Sequence, residues 1–98
     1  MVTFDFIQFG QDLGTRQLGV KARMALLPLL QTDNNVALNF EGVNVVSNSF
    51  ADESIAKLLI EMSLEDLKSK TTFKGLNPIA KESVLTAIQR RYLSLQTE

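Results

Sequence analysis

The chain has 98 residues and a mass of 10.9 kDa, enough for one domain (residues 1–98) and too little for a second core. Hydrophobic residues make up 45% and charged residues 21%, the balance of an ordinary globular domain, and the net charge of −1 argues against a nucleic-acid binder, which would carry a basic surplus or stripe. Cysteine and histidine are both absent, which excludes disulfides, thiolate catalysis and cysteine–zinc sites and removes the commonest general base and transition-metal ligand. No metal and no cofactor is therefore expected. The longest apolar run, residues 24–30, is short and interrupted by Pro28, so neither a transmembrane span nor a signal peptide is drawn and a cytoplasmic protein is expected.

Residues 2–9 alternate, with Val2, Phe4 and Phe6 on one face, but Ile7 and Phe9 break the pattern. The segment predicts a strand buried on much of both faces. Residues 10–14, bounded by two glycines, read as a turn. Thr15 caps a first helix that starts at Arg16 and runs to about residue 27 or 30. Leu18, Ala22, Ala25 and Leu29 form one stripe at helical spacing, and Val20, Met24 and Leu27 form a second. Pro28 removes a backbone donor and crowds the carbonyl of Met24, so a kink or an end is expected there. Residues 31–35, with two asparagines, predict a loop.

A buried strand follows at 36–40, then a turn at Gly42, a second apolar stretch at 43–46 and a small polar loop. That loop ends at Ser49, which is expected to cap a helix over about 50–62. Phe50, Ile55, Leu58, Leu59 and Met62 form its apolar stripe. Residues 63–69 are ambiguous and resemble the start of a helical turn. A short strand is expected at 71–75. Asn77 before Pro78 is a strong helix start, a capping side chain followed by a proline at the first helical position. The last helix is expected to reach about residue 95 with Val84, Leu85, Ile88, Tyr92 and Leu95 inward. The order β-α-β-α-β-α predicts an α/β layer of three to four mostly parallel strands with three helices.

Thr15-Arg16, the run Asn39-Phe40-Glu41-Gly42-Val43, and Phe50-Ala51-Asp52-Glu53, with Asn77 before the last helix, carry a likeness across nearly the whole chain. In this order and spacing they resemble the STAS-like domain of bacteria, named for anti-sigma-factor antagonists and the cytoplasmic domains of sulfate transporters. The resemblance implies a small STAS-like fold and a regulatory role. In true antagonists the loop before the second helix carries an Asp-Ser-Ser-Gly-type motif. One serine there is phosphorylated by a partner of the histidine-kinase-like ATPase type, which switches the interaction off. Ser49 takes that serine's place. Ser47 stands where the motif has aspartate, Phe50-Ala51 replaces Gly-Leu, and Asn39 replaces the strand-end aspartate.

Each singled-out residue also has a plainer role. Ser49 reads first as an N-cap, with Asp52 returning the bond in a capping-box variant, and second as a phosphoacceptor. Asp52 and Glu53 point about 100° apart on a helix, so they do not converge on one substrate atom; their plain role is to offset the helix dipole. Arg16 opens the first helix, where a cation is unfavourable, so an ion pair to Asp52 or Glu53 is expected. Arg90 and Arg91 read as a solvated helix face. Asn77 is a cap, and the aromatics are core.

The sequence thus predicts a non-catalytic regulatory interaction domain. Its expected surface is Val46, Ser47, Asn48 and Ser49 with the exposed side of the second helix, Asp52, Glu53, Lys57 and Glu61. The resemblance implies a separate ATPase partner of the histidine-kinase-like type. A self-associating structural domain is the alternative, and a small hydrolase or nucleotide-binding enzyme using Arg16, Asp52 and Glu53 is a third reading. No nucleic-acid or membrane partner is expected.

Overall fold

A computed structural model describes residues 2–32 and 35–96. Its elements are β1 (Val2–Asp5), β2 (Asp12–Leu13), α1 (Arg16–Thr32), β3 (Val36–Asn39), β4 (Val45–Val46), α2 (Asn48–Ser54), α3 (Leu64–Lys70), β5 (Thr71–Lys74) and α4 (Pro78–Gln96). Short 3₁₀ segments follow β1 (Phe6–Phe9) and α2 (Ala56–Ile60). The strands form two parallel sheets. The larger has the order β1-β3-β5 with Val36 opposite Val2 and Thr71, and the smaller pairs β2 with β4. The α/β class and the parallel strands expected from sequence are present, with four helices among the described residues in place of three.

The outer strands of the larger sheet are covered on one face, and only the central strand is buried on both, with Ala37 as well as Val36 and Leu38 out of solvent. Phe4, Val36 and Leu38 turn into the core, while Thr3, Asp5, Thr72 and Lys74 stand exposed on the other side. On that open face Asn39 Nδ2 donates to Asp5 Oδ1 across the strands, at 2.9 Å. The expectation of a first strand covered on both faces is therefore corrected. The strand also stops at Asp5. Phe6 turns inward and stacks on Phe40, with ring centroids 4.1 Å apart, and meets Phe50 edge-on at 6.1 Å. Burying that ring bends the chain into a 3₁₀ turn, closed by Gly10 at φ +119°. The residues expected as a plain turn at 10–14 contain β2.

The helices differ from their expected bounds for local reasons. α1 runs through Pro28 to Thr32, and only residues 33 and 34 of the expected 31–35 loop fall outside the described residues. Pro28 and Met24, whose carbonyl the proline cannot pair, both lie on the exposed side of the helix, Met24 at 70%. The buried stripe of α1 is Gly19, Ala22, Leu26 and Leu30, which keeps the expected Ala22 but is shifted by one residue at the other three positions. The helix expected over 50–62 breaks after Ser54. The Ser54 hydroxyl donates to the Phe50 carbonyl at 2.7 Å, a back-bond that bends helices, and Ile55 leaves the helix at φ −116°. In α4 the buried residues are Ala80, Val84 and Ala87. Leu85 and Tyr92, expected inward, are exposed, because the buried stripe runs through Ala80, Val84 and Ala87 and leaves them on the flank of the helix.

Ser63 caps α3, accepting from Asp66 N, and Thr15 caps α1, accepting from Leu18 N. Asn77 Oδ1 accepts from Ala80 N at 2.8 Å, and its amide also donates to the Asn44 carbonyl. Thus the cap of α4 also fixes the loop before α2.

Gly19 is the point of closest approach between α1 and α2. A Cβ added there would lie 2.6 Å from Glu53 Cβ and 3.1 Å from the Phe50 carbonyl oxygen. Gly19→Ala would gain about 1 kcal/mol of helix propensity, but overpacking costs roughly 1–3 kcal/mol. Because one obstacle is backbone, the clash wins, and Gly19→Ala is expected to lower stability in urea unfolding. An increase in stability would show that α1 and α2 can slide apart freely.

Candidate functional site

The loop from 44 to 47 is held by backbone bonds to the segment before α1. Asn44 N and Val45 N donate to the Gln11 carbonyl, and Ser47 N donates to the Leu13 carbonyl at 2.9 Å. The chain then turns into α2 at Ser47. Its Oγ accepts from Phe50 N at 3.0 Å and its carbonyl from Ala51 N. The N-cap is therefore Ser47, which corrects the assignment to Ser49. A start at Asn48 places Phe50, Ala51 and Ser54 on the inner side, where all three are fully buried. Ser49 is the second helical residue and half-buried. Asp52 does not return a bond to it, because its carboxylate is engaged elsewhere.

That engagement organises the site. Asp52 takes a two-pronged contact from Arg91 of α4, Nε to Oδ1 at 3.1 Å and Nη2 to Oδ2 at 2.7 Å. Arg16 Nη1 reaches Asp52 Oδ2 at 3.0 Å and Glu53 Oε1 at 3.1 Å. Arg23 Nη1 reaches Glu53 Oε2 at 3.0 Å and also bonds the Glu53 backbone carbonyl. Lys57 Nζ, one turn on, meets Glu53 Oε1 at 2.7 Å. The two carboxylates thus bind three helices to one another. The expected ion pair between Arg16 and Asp52 or Glu53 is present with both partners, although Arg16 is the most exposed member.

The electrostatics follow from these contacts. Burial alone would raise the Asp52 carboxyl, but hydrogen bonds from Arg91 and Arg16 outweigh it and hold the group below its ordinary range. The Lys57 ammonium does most to lower Glu53, against a burial penalty, with Arg23 and Arg16 adding to it. Glu53 is shielded from solvent by the three cationic side chains that cap it, yet it lies close under the surface. Asp52, Glu53 and Lys57 are accordingly not the open face expected of them; of the four helix-two residues named, Glu61 alone is exposed. Neither carboxylate is poised to exchange a proton near neutral pH.

Above this cluster lies an open cleft of about 400 Å³ between the start of α2 and the last turns of α4. Arg16, Arg90 and Arg91 line it with Asp52, Asn48 and Ser49, and Ala87 and Ser94 complete the α4 wall. Arg91 is not a solvated residue. It continues the buried Val84–Ala87 stripe by one turn, and that spacing was the available sequence signal. Arg23 was missed too, although it lies seven residues beyond Arg16 on the same helical face. Of the remaining motif residues, Phe40 and Ala51 are core. Asn39 Oδ1 accepts from Glu41 N, and Gly42 turns the chain at φ +85°. These serve the fold and lie away from the cleft lining. Among the described residues no three potential metal ligands of the His, Cys, Asp or Glu type gather, and no helix is long and apolar enough to cross a membrane.

A protein-family model described as a STAS-like domain of unknown function matches residues 19–81. No curated protein and no solved structure gives a significant match.

Two measurements test this geometry. Ser47→Ala should cost about 1 kcal/mol in denaturant unfolding, the usual loss for a capping serine, while Ser49→Ala should cost far less; the reverse order would return the cap to Ser49. The second concerns pH. Asp52 and Glu53 bind protons less readily folded than unfolded, so their contribution is complete above the ordinary carboxylate range and is lost as pH falls through their folded values. Glu53→Gln should lower stability at pH 7 by about 2 kcal/mol, in the range for leaving buried polar groups without their partner. The gap to wild type should narrow as pH falls below the ordinary carboxylate range and through the depressed folded value of Glu53. A gap independent of pH would mean that packing, and not charge, holds Glu53.

Proposed function

The chain belongs to the STAS-like domain family, and on that premise we propose that it is a non-catalytic regulatory domain that docks a protein partner. The docking face is the loop 44–49 with the first turns of α4. The observation that carries this reading is a pair of large apolar side chains left in solvent beside the loop. Val45 is 49% and Ile79 is 79% exposed. Together with Asn44, Val46, Asn77 and Pro78 they line a groove of about 460 Å³. Exposed apolar residues grouped beside a polar loop are the ordinary mark of a protein contact. The loop itself is rigid, tied to Gln11, Leu13 and Asn77, so docking costs little ordering entropy.

The finer reading is that the partner is an ATPase of the histidine-kinase-like type, as the STAS resemblance implies, with contact modulated at Ser49. Compared with the sequence-based surface, this face keeps Val46, Ser47, Asn48 and Ser49 and replaces the buried carboxylates of α2 with α4. A catalytic use of Arg16, Asp52 and Glu53 is disfavoured, because their charges are spent on one another. Self-association is the second reading, favoured by Phe73 on edge strand β5 and Leu85 beside it, 36% and 51% exposed.

The test is affinity capture from native lysate read by mass spectrometry. Wild type and Met24→Asp, altered on a remote exposed site, should enrich an ATPase of that type. Ile79→Asp should lose it, and Ser49→Glu should weaken it. Equal recovery by wild type and Ile79→Asp, or no such ATPase, overturns the proposal. A concentration-dependent dimer in light scattering that Phe73→Asp abolishes would establish the second reading instead.

A further inference from the structure

The chain's net charge of −1 conceals a cationic concentration. The cleft is lined by Arg16, Arg90 and Arg91 against one carboxylate, Asp52, which leaves two positive charges unbalanced. Beneath it, Glu53 is already met by Arg16, Arg23 and Lys57. Like charges gathered this closely repel one another, and the cluster contains no further acid among its described ion pairs. Arg90 makes no ion pair or side-chain hydrogen bond among the described residues, yet it stands on the cleft wall.

The donors point to what the surplus fits. A guanidinium carries five N–H groups in a planar fork. Arg91 uses Nε and Nη2 on Asp52, which leaves Nη1, and Arg16 uses only Nη1, which leaves Nε and Nη2. Arg90 adds its whole fork. Ser49, half-buried on the opposite wall, adds a hydroxyl. Asp52 fixes Arg91 and Arg16 in place before any ligand arrives, so their forks are preorganised.

We propose that this cleft binds a phosphate group in its dianionic form. Two negative charges match the two-charge surplus, and a tetrahedral array of acceptor oxygens matches several converging guanidinium edges better than a single carboxylate does. The volume exceeds that of phosphate alone, so a small phosphate monoester fits as well as free phosphate. This inference shares Asn48 and Ser49 with the docking face but is carried by the arginines, and it uses neither Val45 nor Ile79.

The test is an NMR titration of the intact chain at constant ionic strength, with chloride replaced by inorganic phosphate or by methyl phosphate. Saturable shifts are expected at the amides of residues 16, 48–52 and 87–94. Binding should strengthen as pH rises and the dianion forms. Arg90→Gln, which breaks no described contact, should weaken binding about tenfold, the effect of one lost charge-assisted hydrogen bond; Arg90→Lys should recover part of it. Tighter binding of methyl phosphate assigns the cleft to a phosphorylated small molecule, and tighter binding of inorganic phosphate to the free ion; either supports the site. Shifts that do not saturate, or equal affinity in wild type and Arg90→Gln, overturn it.

Discussion

The structure turns on two adjacent carboxylates in a helix of two turns. Consecutive residues on a helix point about 100° apart, so Asp52 and Glu53 address different neighbours. Asp52 reaches across to Arg91 of α4, and Glu53 reaches to Arg23 of α1, with Arg16 bridging the two. A helix as short as α2 does not persist on its own hydrogen bonds. It is held from within by Phe50 against Phe6 and from without by this ion cluster. Exposed ion pairs contribute little. These are different in kind, because Asp52 and Glu53 are largely screened from water, so removing one partner strands charge that was placed at a cost.

Gly19 is what brings the cluster together. The absence of a side chain there lets α2 lie directly on α1, with Glu53 Cβ in the space a methyl would need. The same contact sets the height at which Arg16 and Arg23, on either side of Gly19 along one face, meet the carboxylate. Packing and electrostatics therefore share one geometric condition.

Much of this architecture was legible in the sequence. The parallel strands, the caps at Thr15 and Asn77, and the pairing of Arg16 with Asp52 and Glu53 follow from local chemistry that needs few partners. What was not legible depended on tertiary context. Ser47 and Ser49 are equivalent as caps until Phe50 must find the core, and burial of that ring decides between them. The helix expected over 50–62 has an adequate apolar pattern, and only the Ser54 back-bond to Phe50 breaks it. Pro28 signals a helix end, but it falls on the exposed side of α1 and the helix runs on to Thr32. Arg91 reads as surface because arginine usually is; its place on the Val84–Ala87 stripe outweighed that tendency once an acid lay opposite.

The two proposed surfaces meet at Asn48. It lines the cationic cleft on one side and, with Ile79, a shallow groove against α4 on the other. Between them lies only the first turn of α2, whose entry is fixed by the Ser47 cap and by the strand pair below it. A charge placed in the cleft would therefore act within one helical turn of the docking loop, at a range where a partly buried interaction is weakly screened by salt. Coupling between ligand and partner would then need no relay through the core. It would require only that the arginines, already shared between Asp52 and solvent, redistribute their bonds at the edge of the loop.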